Sequence, residues 1–306
     1  MPLHIQTPYI RSRAASRRLG KDVLFKLDAL QPSGSFKLRG VGAVCEARHK
    51  AGARRFVSSS GGNAGIAVAY SGRELGVPVL VVVPESTSAR ARDLIRSEGA
   101  ELLVHGASWA EANTFAQSVM GPHDAFVHPF DDPMLWRGHA TMVDEMAATG
   151  PKPDAVVLAV GGGGLLCGVL EGMACNGWSD VPVVAAETEG ADCYVRSLKQ
   201  GRPVELAAIT SIATSLGAKR PCDAAVEWAT RHSVENVVVS DAAAVAASLR
   251  LLDEHRMLVE PACGAALAAL DTASPVLAAA SCIAVIVCGG VTATVEYLQT
   301  LSRRER

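Results

Sequence analysis

An α/β fold built on parallel sheets is predicted by three observations on this 306-residue chain. Short β-branched runs alternate with Ala-rich stretches of helical length almost throughout, and glycine-rich turns follow several of the runs. Hydrophobic residues make up 49% of the chain, enough to bury a large core. Such alternation is the pattern of strands joined by crossover helices that cover both faces of a sheet. The length exceeds the usual single-domain mode, so one large or two intimately joined domains are expected.

Taken in order, Thr7-Pro8 reads as a helix start, with an ordinary helix over 9–19. That reading also accounts for the Arg-rich, acid-free stretch before Asp22, which has a faint transit-peptide composition. Strands are predicted over 23–27, 55–58, 79–83, 101–104, 155–160, 183–186, 236–239 and 283–287. Segments 41–49, 64–75, 89–97, 133–148, 165–175 and 242–254 have the length and periodicity of helices. Two turn-rich punctuations, Phe130-Asp131-Asp132-Pro133 and Thr149-Gly150-Pro151-Lys152-Pro153, interrupt the pattern, and a domain border is expected near the first. Strands 79–83 and 101–104 would then belong to a small open sheet and those after 155 to a larger one. The Arg303 to Arg306 tail reads as a solvated end.

Composition excludes several classes. The formal net charge is −2 and aromatics are 5%, so neither a basic footprint nor a base-stacking platform points to nucleic acid. Eight cysteines lie mostly in apolar segments with no CxxC pair or zinc spacing, the usage of reduced thiols in the cytoplasm. The longest apolar run, 276–287, is broken by Ser281 and ends at Cys288-Gly289-Gly290, too short to span a membrane. There is no secretory apolar region.

Three segments carry chemistry. Gly161 to Gly164 follow a strand and precede a helix, so successive N–H groups with no Cβ in the way could bind a phosphate. A dinucleotide site is the alternative, since Glu187 closes the next strand where a ribose-binding acid would sit; against it, the glycines lack the GxGxxG register. In Ser58-Ser59-Ser60-Gly61-Gly62-Asn63-Ala64-Gly65, hydroxyls, an amide and free N–H groups converge, which suits a carboxylate or a ring oxygen. A polar helix cap with turn glycines would read the same. Lys37 lies where the polar turn Pro32-Ser33-Gly34-Ser35-Phe36 becomes an apolar helix. A lysine there is ordinarily solvated, and a Schiff-base lysine needs a pocket that lowers its pKa.

SGSFKLRG, SSSGGNAG, VGGGGLLCG, VEPACGAALAAL and VCGG, in this order and spacing, resemble the serine/threonine dehydratase family of fold-type II pyridoxal phosphate (PLP) enzymes. The likeness runs from about Thr7 to the last helix and is nearest to the serine dehydratase subfamily, which carries no regulatory extension. It implies a larger, twisted, mostly parallel sheet domain of residues 1–34 and 132–306, and a smaller open parallel sheet domain inserted over 35–131, both flanked by helices.

Position by position, the resemblance makes Lys37 the lysine that carries PLP, Phe36 one face of the slot for the pyridine ring, and Ser215 part of the loop opposite. Asn63 would bond the ring hydroxyl, Gly161, Gly162, Gly163, Gly164 and Leu165 would hold the phosphate, and Cys288 would face the pyridine nitrogen. Ser60, Gly61, Gly62, Asn63 and Ala64 would close over the substrate carboxylate, with position 61 pointing at Cα on the face opposite Lys37. A monovalent cation, potassium by preference, would sit on Gly161, Glu187, Ala191, Cys193, Leu216 and Ala218, mostly through carbonyls; Cys193 stands where relatives often have serine.

The implied activity is dehydration and deamination of L-serine to pyruvate and ammonia, and of L-threonine to 2-oxobutanoate. Lys37 would remove the Cα proton, and the cofactor phosphate would protonate the leaving oxygen. A weak thiol donor at Cys288 favours elimination over reactions that need a long-lived carbanion. Rivals are a serine racemase, which would need a proton donor where this chain has Gly61; a β-replacement synthase; and a PLP-binding protein of low turnover. His128, His139 and Glu260 read as packing, capping or structural residues. The family implies a homodimer.

Overall fold

Burial explains why so many β-branched runs become strands here. The structure, a computed structural model, describes residues 1–304; the last two residues of the expected solvated tail lie outside them. The strands are β1 (Tyr9–Arg11), β2 (Asp22–Lys26), β3 (Arg55–Ser58), β4 (Val79–Val83), β5 (Glu101–Val104), β6 (Asp124–Phe126), β7 (Ala155–Ala159), β8 (Val183–Thr188), β9 (Val234–Val239) and β10 (Cys282–Ile286). β4, β7 and β8 are buried along their whole length, as strands covered by helices on both faces must be.

The strands form a six-stranded sheet in the order β1-β2-β10-β7-β8-β9 and a four-stranded sheet in the order β5-β4-β3-β6. All pairings are parallel except β1 with β2. This is the α/β architecture expected: a larger, mostly parallel sheet and a smaller parallel one. One hydrophobic core surrounds β2, β7, β8 and β10, and others pack on the smaller sheet. We propose residues 1–34 with 132–306, and 35–131, as the two domains; the first two strands and the last four lie in the larger sheet.

The expected helix over 9–19 is corrected. Tyr9, Ile10 and Arg11 pair with Lys26, Phe25 and Leu24 as an antiparallel edge, and the helix is confined to Arg13–Leu19. Thr7 caps nothing; its hydroxyl donates to Asp28 at 2.7 Å. The true cap is Ser12, whose Oγ accepts from Ala15 N–H at 3.2 Å. Sheet pairing with a distant partner overrode the local helix signal.

Two features fix the start of helix Lys37–Lys50. Gly40 and Gly138 face each other so closely that a Cβ on Gly138 would lie 2.6 Å from Gly40 Cα, which lets this helix touch helix Pro133–Thr149 backbone to backbone. Beneath it, the fully buried Arg39 donates to Asp28 Oδ2 and to Glu145 Oε1, both at 2.7 Å, and buried Lys26 also pairs with Glu145. Charges this deep are tolerated because each is paired and hydrogen-bonded.

Candidate active site

Lys37 is held by a turn stitched to the end of β10. Phe36 N–H donates to Cys288 O at 2.9 Å, Gly290 N–H to Gly34 O at 3.0 Å, and Ser35 bridges Gly289. Gly34, Gly289 and Gly290 adopt φ of 78°, 101° and 128°, a region glycine enters without strain. Lys37 Nζ donates to Pro129 O at 2.6 Å and lies 5.1 Å from the Phe36 ring centre. Burial pushes its amine down to about 8. The thiol of Cys288 is pushed well above its ordinary range by its hydrogen bond with Cys263 and by burial, so it stays protonated.

The next residues along, Phe130 and its neighbours, join this lysine to the glycine loop. Cβ atoms on Gly162 and Gly164 would lie 2.5 Å from the Phe130 ring and from Phe130 O, and one on Gly161 would lie 2.9 Å from Leu216 Cα. Gly163 has φ 92° and precedes helix Gly164–Cys175. No side chain fits in this loop. The N–H groups of Gly162, Gly163, Gly164 and Leu165 donate to no acceptor among the described residues. Four free donors at the start of a 12-residue helix suit an anion with several oxygens.

The loop after β3 folds tightly onto itself: a Cβ on Gly65 would overlap Ser60 O at 1.8 Å. Gly62 precedes helix Asn63–Leu75, in which Ala64 is buried. Asn63 Nδ2 lies 3.5 Å from Ser215 Oγ, in the turn Thr214–Leu216, and its Oδ1 accepts from Val291 N–H at 3.2 Å. Asn63, Ser215 and the loop after Cys288 therefore meet, although β3 and β10 belong to different sheets. Gly61 lies against the loop that follows β4. A Cβ there meets Thr87 first, 2.6 Å from Oγ1 and 2.7 Å from Cγ2.

Of the cation set, Gly161, Cys193 and Leu216 come together, with Cys193 Sγ 3.6 Å from Gly161 O. Ala191 N–H donates to Thr188 O at 3.0 Å and Ala218 N–H to Leu216 O at 2.8 Å. Glu187 is buried and accepts from Tyr194 N–H (2.8 Å), Val195 N–H (2.7 Å) and Asn236 Nδ2 (2.9 Å). Burial pushes its carboxyl up to about 7. A buried acid with hydrogen bonds but no ion pair among the described residues suits an added cation. Among the described residues no three His, Cys, Asp or Glu side chains cluster to hold a metal.

His128 caps its turn, Nδ1 accepting from Asp131 N–H at 2.8 Å. His139 is buried 4.8 Å from the Phe36 ring, and burial drives its pKa far down, so it supports that ring as a neutral side chain. Glu260 is the residue that sequence reading misplaced. Expected to be structural, it turns its carboxylate into the site, onto Asn63, Ser215 and Thr292. The signal available was a lone acid before Pro261-Ala262-Cys263-Gly264, in a segment already matched to the cofactor region.

A half-buried lysine amine, the Phe36 ring beside it, a cradle of free N–H groups and a protonated thiol form a set that fits PLP, with its aldehyde, ring, phosphate and ring nitrogen. A family model described as pyridoxal-phosphate dependent enzyme matches residues 1–289. A serine dehydratase-like protein of Mus musculus is 47% identical over 311 residues, covering 98% of this chain and 94% of the relative. An L-serine dehydratase/L-threonine deaminase of Homo sapiens is 43% identical over 314 residues, covering 99% and 96%. The crystal structure of a fungal L-serine ammonia-lyase from Rhizomucor miehei matches with a TM-score of 0.94 at 33% identity, over 100% of both chains. On this fold, this site and these likenesses, the chain belongs to the pyridoxal-phosphate dependent enzyme family and is similar over nearly its whole length to the serine dehydratases within it.

Proposed function

We propose that this chain is an L-serine/L-threonine ammonia-lyase, converting L-serine to pyruvate and ammonia and L-threonine to 2-oxobutanoate and ammonia. The observation that carries the reading is Lys37, whose amine burial depresses to about 8 and which donates to Pro129 O, next in sequence to the Phe130 that packs on the glycine cradle. The names of its relatives support the same reaction class. Bound PLP supplies an electrophilic carbonyl for amines and a conjugated ring that spreads the negative charge left at Cα.

Lys37 would hold the cofactor, and its amine, once free, would take the Cα proton. At pH 7 a pKa of about 8 leaves roughly one amine in ten free, against about one in three thousand for an ordinary lysine. Gly161 to Gly164 and Leu165 hold the phosphate; Phe36 and Ser215 bound the ring; Asn63 donates to the ring hydroxyl; Cys288 offers its weak S–H to the ring nitrogen. Ser60, Gly61, Gly62, Asn63 and Ala64 hold the substrate carboxylate and exclude water. Gly161, Glu187, Ala191, Cys193, Leu216 and Ala218 take a monovalent cation, potassium by preference. We propose a homodimer acting in the cytoplasm; no helix among the described residues is long and apolar enough to cross a membrane.

Racemisation needs a proton donor on the face opposite Lys37, and Gly61 has no side chain to provide one. The test is to incubate the PLP-loaded protein with L-serine or L-threonine, with and without potassium, and quantify 2-oxo acid and D-serine. Pyruvate that depends on potassium, without D-serine, supports the proposal. D-serine as the main product, or no 2-oxo acid, refutes it.

A further inference from the structure

Glu260 precedes helix Pro261–Ala269 but its side chain does not cap it. The main-chain carbonyl accepts from Cys263 N–H (2.9 Å) and Gly264 N–H (3.0 Å), while the carboxylate turns the other way. Although the residue is only 5% exposed, no lysine or arginine pairs with it among the described residues. Its charge is instead held by donors from three segments: Asn63 Nδ2 at 2.9 Å, Ser215 Oγ at 2.5 Å, and Thr292 through both N–H (3.3 Å) and Oγ1. Gly290 makes room for it, since a Cβ there would lie 2.3 Å from Glu260 Cγ. A carboxylate buried at such desolvation cost needs a reason that an apolar residue would not meet.

We propose that Glu260 is the positioning residue that sets the hydrogen-bonding sense of Asn63 and Ser215 towards the cofactor; this rests on their reading as cofactor contacts. Rotating the Asn63 amide by half a turn would face Oδ1 to the carboxylate and Nδ2 to Val291 N–H, so both neighbours forbid it. The amide is thereby fixed with Nδ2 as the donor, one hydrogen on Glu260 and the other turned towards Ser215 Oγ in a long 3.5 Å contact that a ring oxygen can replace. Ser215 gives its only hydrogen to Glu260 and presents lone pairs, an acceptor. Because Asn63 starts a helix on the smaller sheet and Ser215 lies between β8 and β9 of the larger, one carboxylate orients contacts from both.

The test uses the PLP-loaded protein, Glu260→Gln, and the same change in an Asn63→Ala background, reading cofactor affinity by absorbance titration and the visible circular dichroism of bound PLP. Glutamine keeps the shape but puts an NH2 against donors, so the Asn63 amide loses its fixed sense. The expected result is about tenfold weaker binding with a changed dichroic band, falling to about threefold or less when Asn63 is already alanine, because the two residues act as a unit. Thr292→Val, which removes one donor and keeps the carboxylate, should move both readouts the same way by a smaller factor, and it serves if the glutamine variant does not fold. Unchanged affinity and band, or an equal loss in both backgrounds, would overturn the proposal. Both readouts are independent of turnover: protein that binds PLP but makes no pyruvate refutes the reaction and leaves this test intact.

Discussion

Gly61 and Thr87 are in mutual contact range: a Cβ on the glycine would sit 2.6 Å from Thr87 Oγ1 and 2.7 Å from Cγ2. The backbone at 61 lies outside the left-handed region, so alanine meets a problem of space rather than of φ. Alanine would relieve the loop of about 0.5 to 1 kcal/mol of conformational entropy, whereas overpacking costs typically about 1 to 3 kcal/mol. The second effect wins. Gly61→Ala should lower kcat/KM for L-serine by roughly fivefold to tenfold, and Thr87→Ala in the same protein should restore it. A rate increase in the single variant would show that Thr87 yields freely.

Cys288 should tune the cofactor rather than attack anything, because its thiol is buried and protonated. Cys288→Ser retains a small hydroxyl donor and should keep elimination within about two orders of magnitude of the original. Complete loss of pyruvate formation with PLP still bound would indicate covalent chemistry at the sulfur.

The depressed amine of Lys37 gives capture of PLP by the cofactor-free protein a distinct pH profile. Folding lowers this pKa, so the free amine is already gained on passing about 8 instead of the ordinary 10.5. The rate of capture should rise about fivefold from pH 7 to 8 and about twofold from 8 to 9, where an unperturbed lysine would give about tenfold at each step. Stopped-flow absorbance at each pH distinguishes the two.

Much of the fold was legible because the strands of both sheets are apolar and bounded by glycine or polar turns. Expected strands 55–58, 79–83 and 101–104 coincide with β3, β4 and β5. β1 and β6 were missed since three residues on a sheet margin carry no period of their own; their register comes from β2 and β3. The polar helix Trp109–Ser118 went unread, although Ser108 caps it, because its buried face is only Ala112 and Ala116. In the site, glycines and Lys37 were visible as motifs. Glu260 stood inside the VEPACGAALAAL motif, but its partners did not, and Thr87 and Thr292 lay outside the motifs, because what marks all three is a meeting of segments distant in sequence.

The central claim is that Lys37 carries PLP, and reduction followed by peptide mapping tests it most directly. The holoenzyme should show visible Schiff-base absorption; after borohydride treatment and digestion, the pyridoxyl group should be on Lys37, and Lys37→Ala should lose both that label and all turnover. A label on any other lysine, or retained Schiff-base absorption and pyruvate formation in Lys37→Ala, would contradict the account.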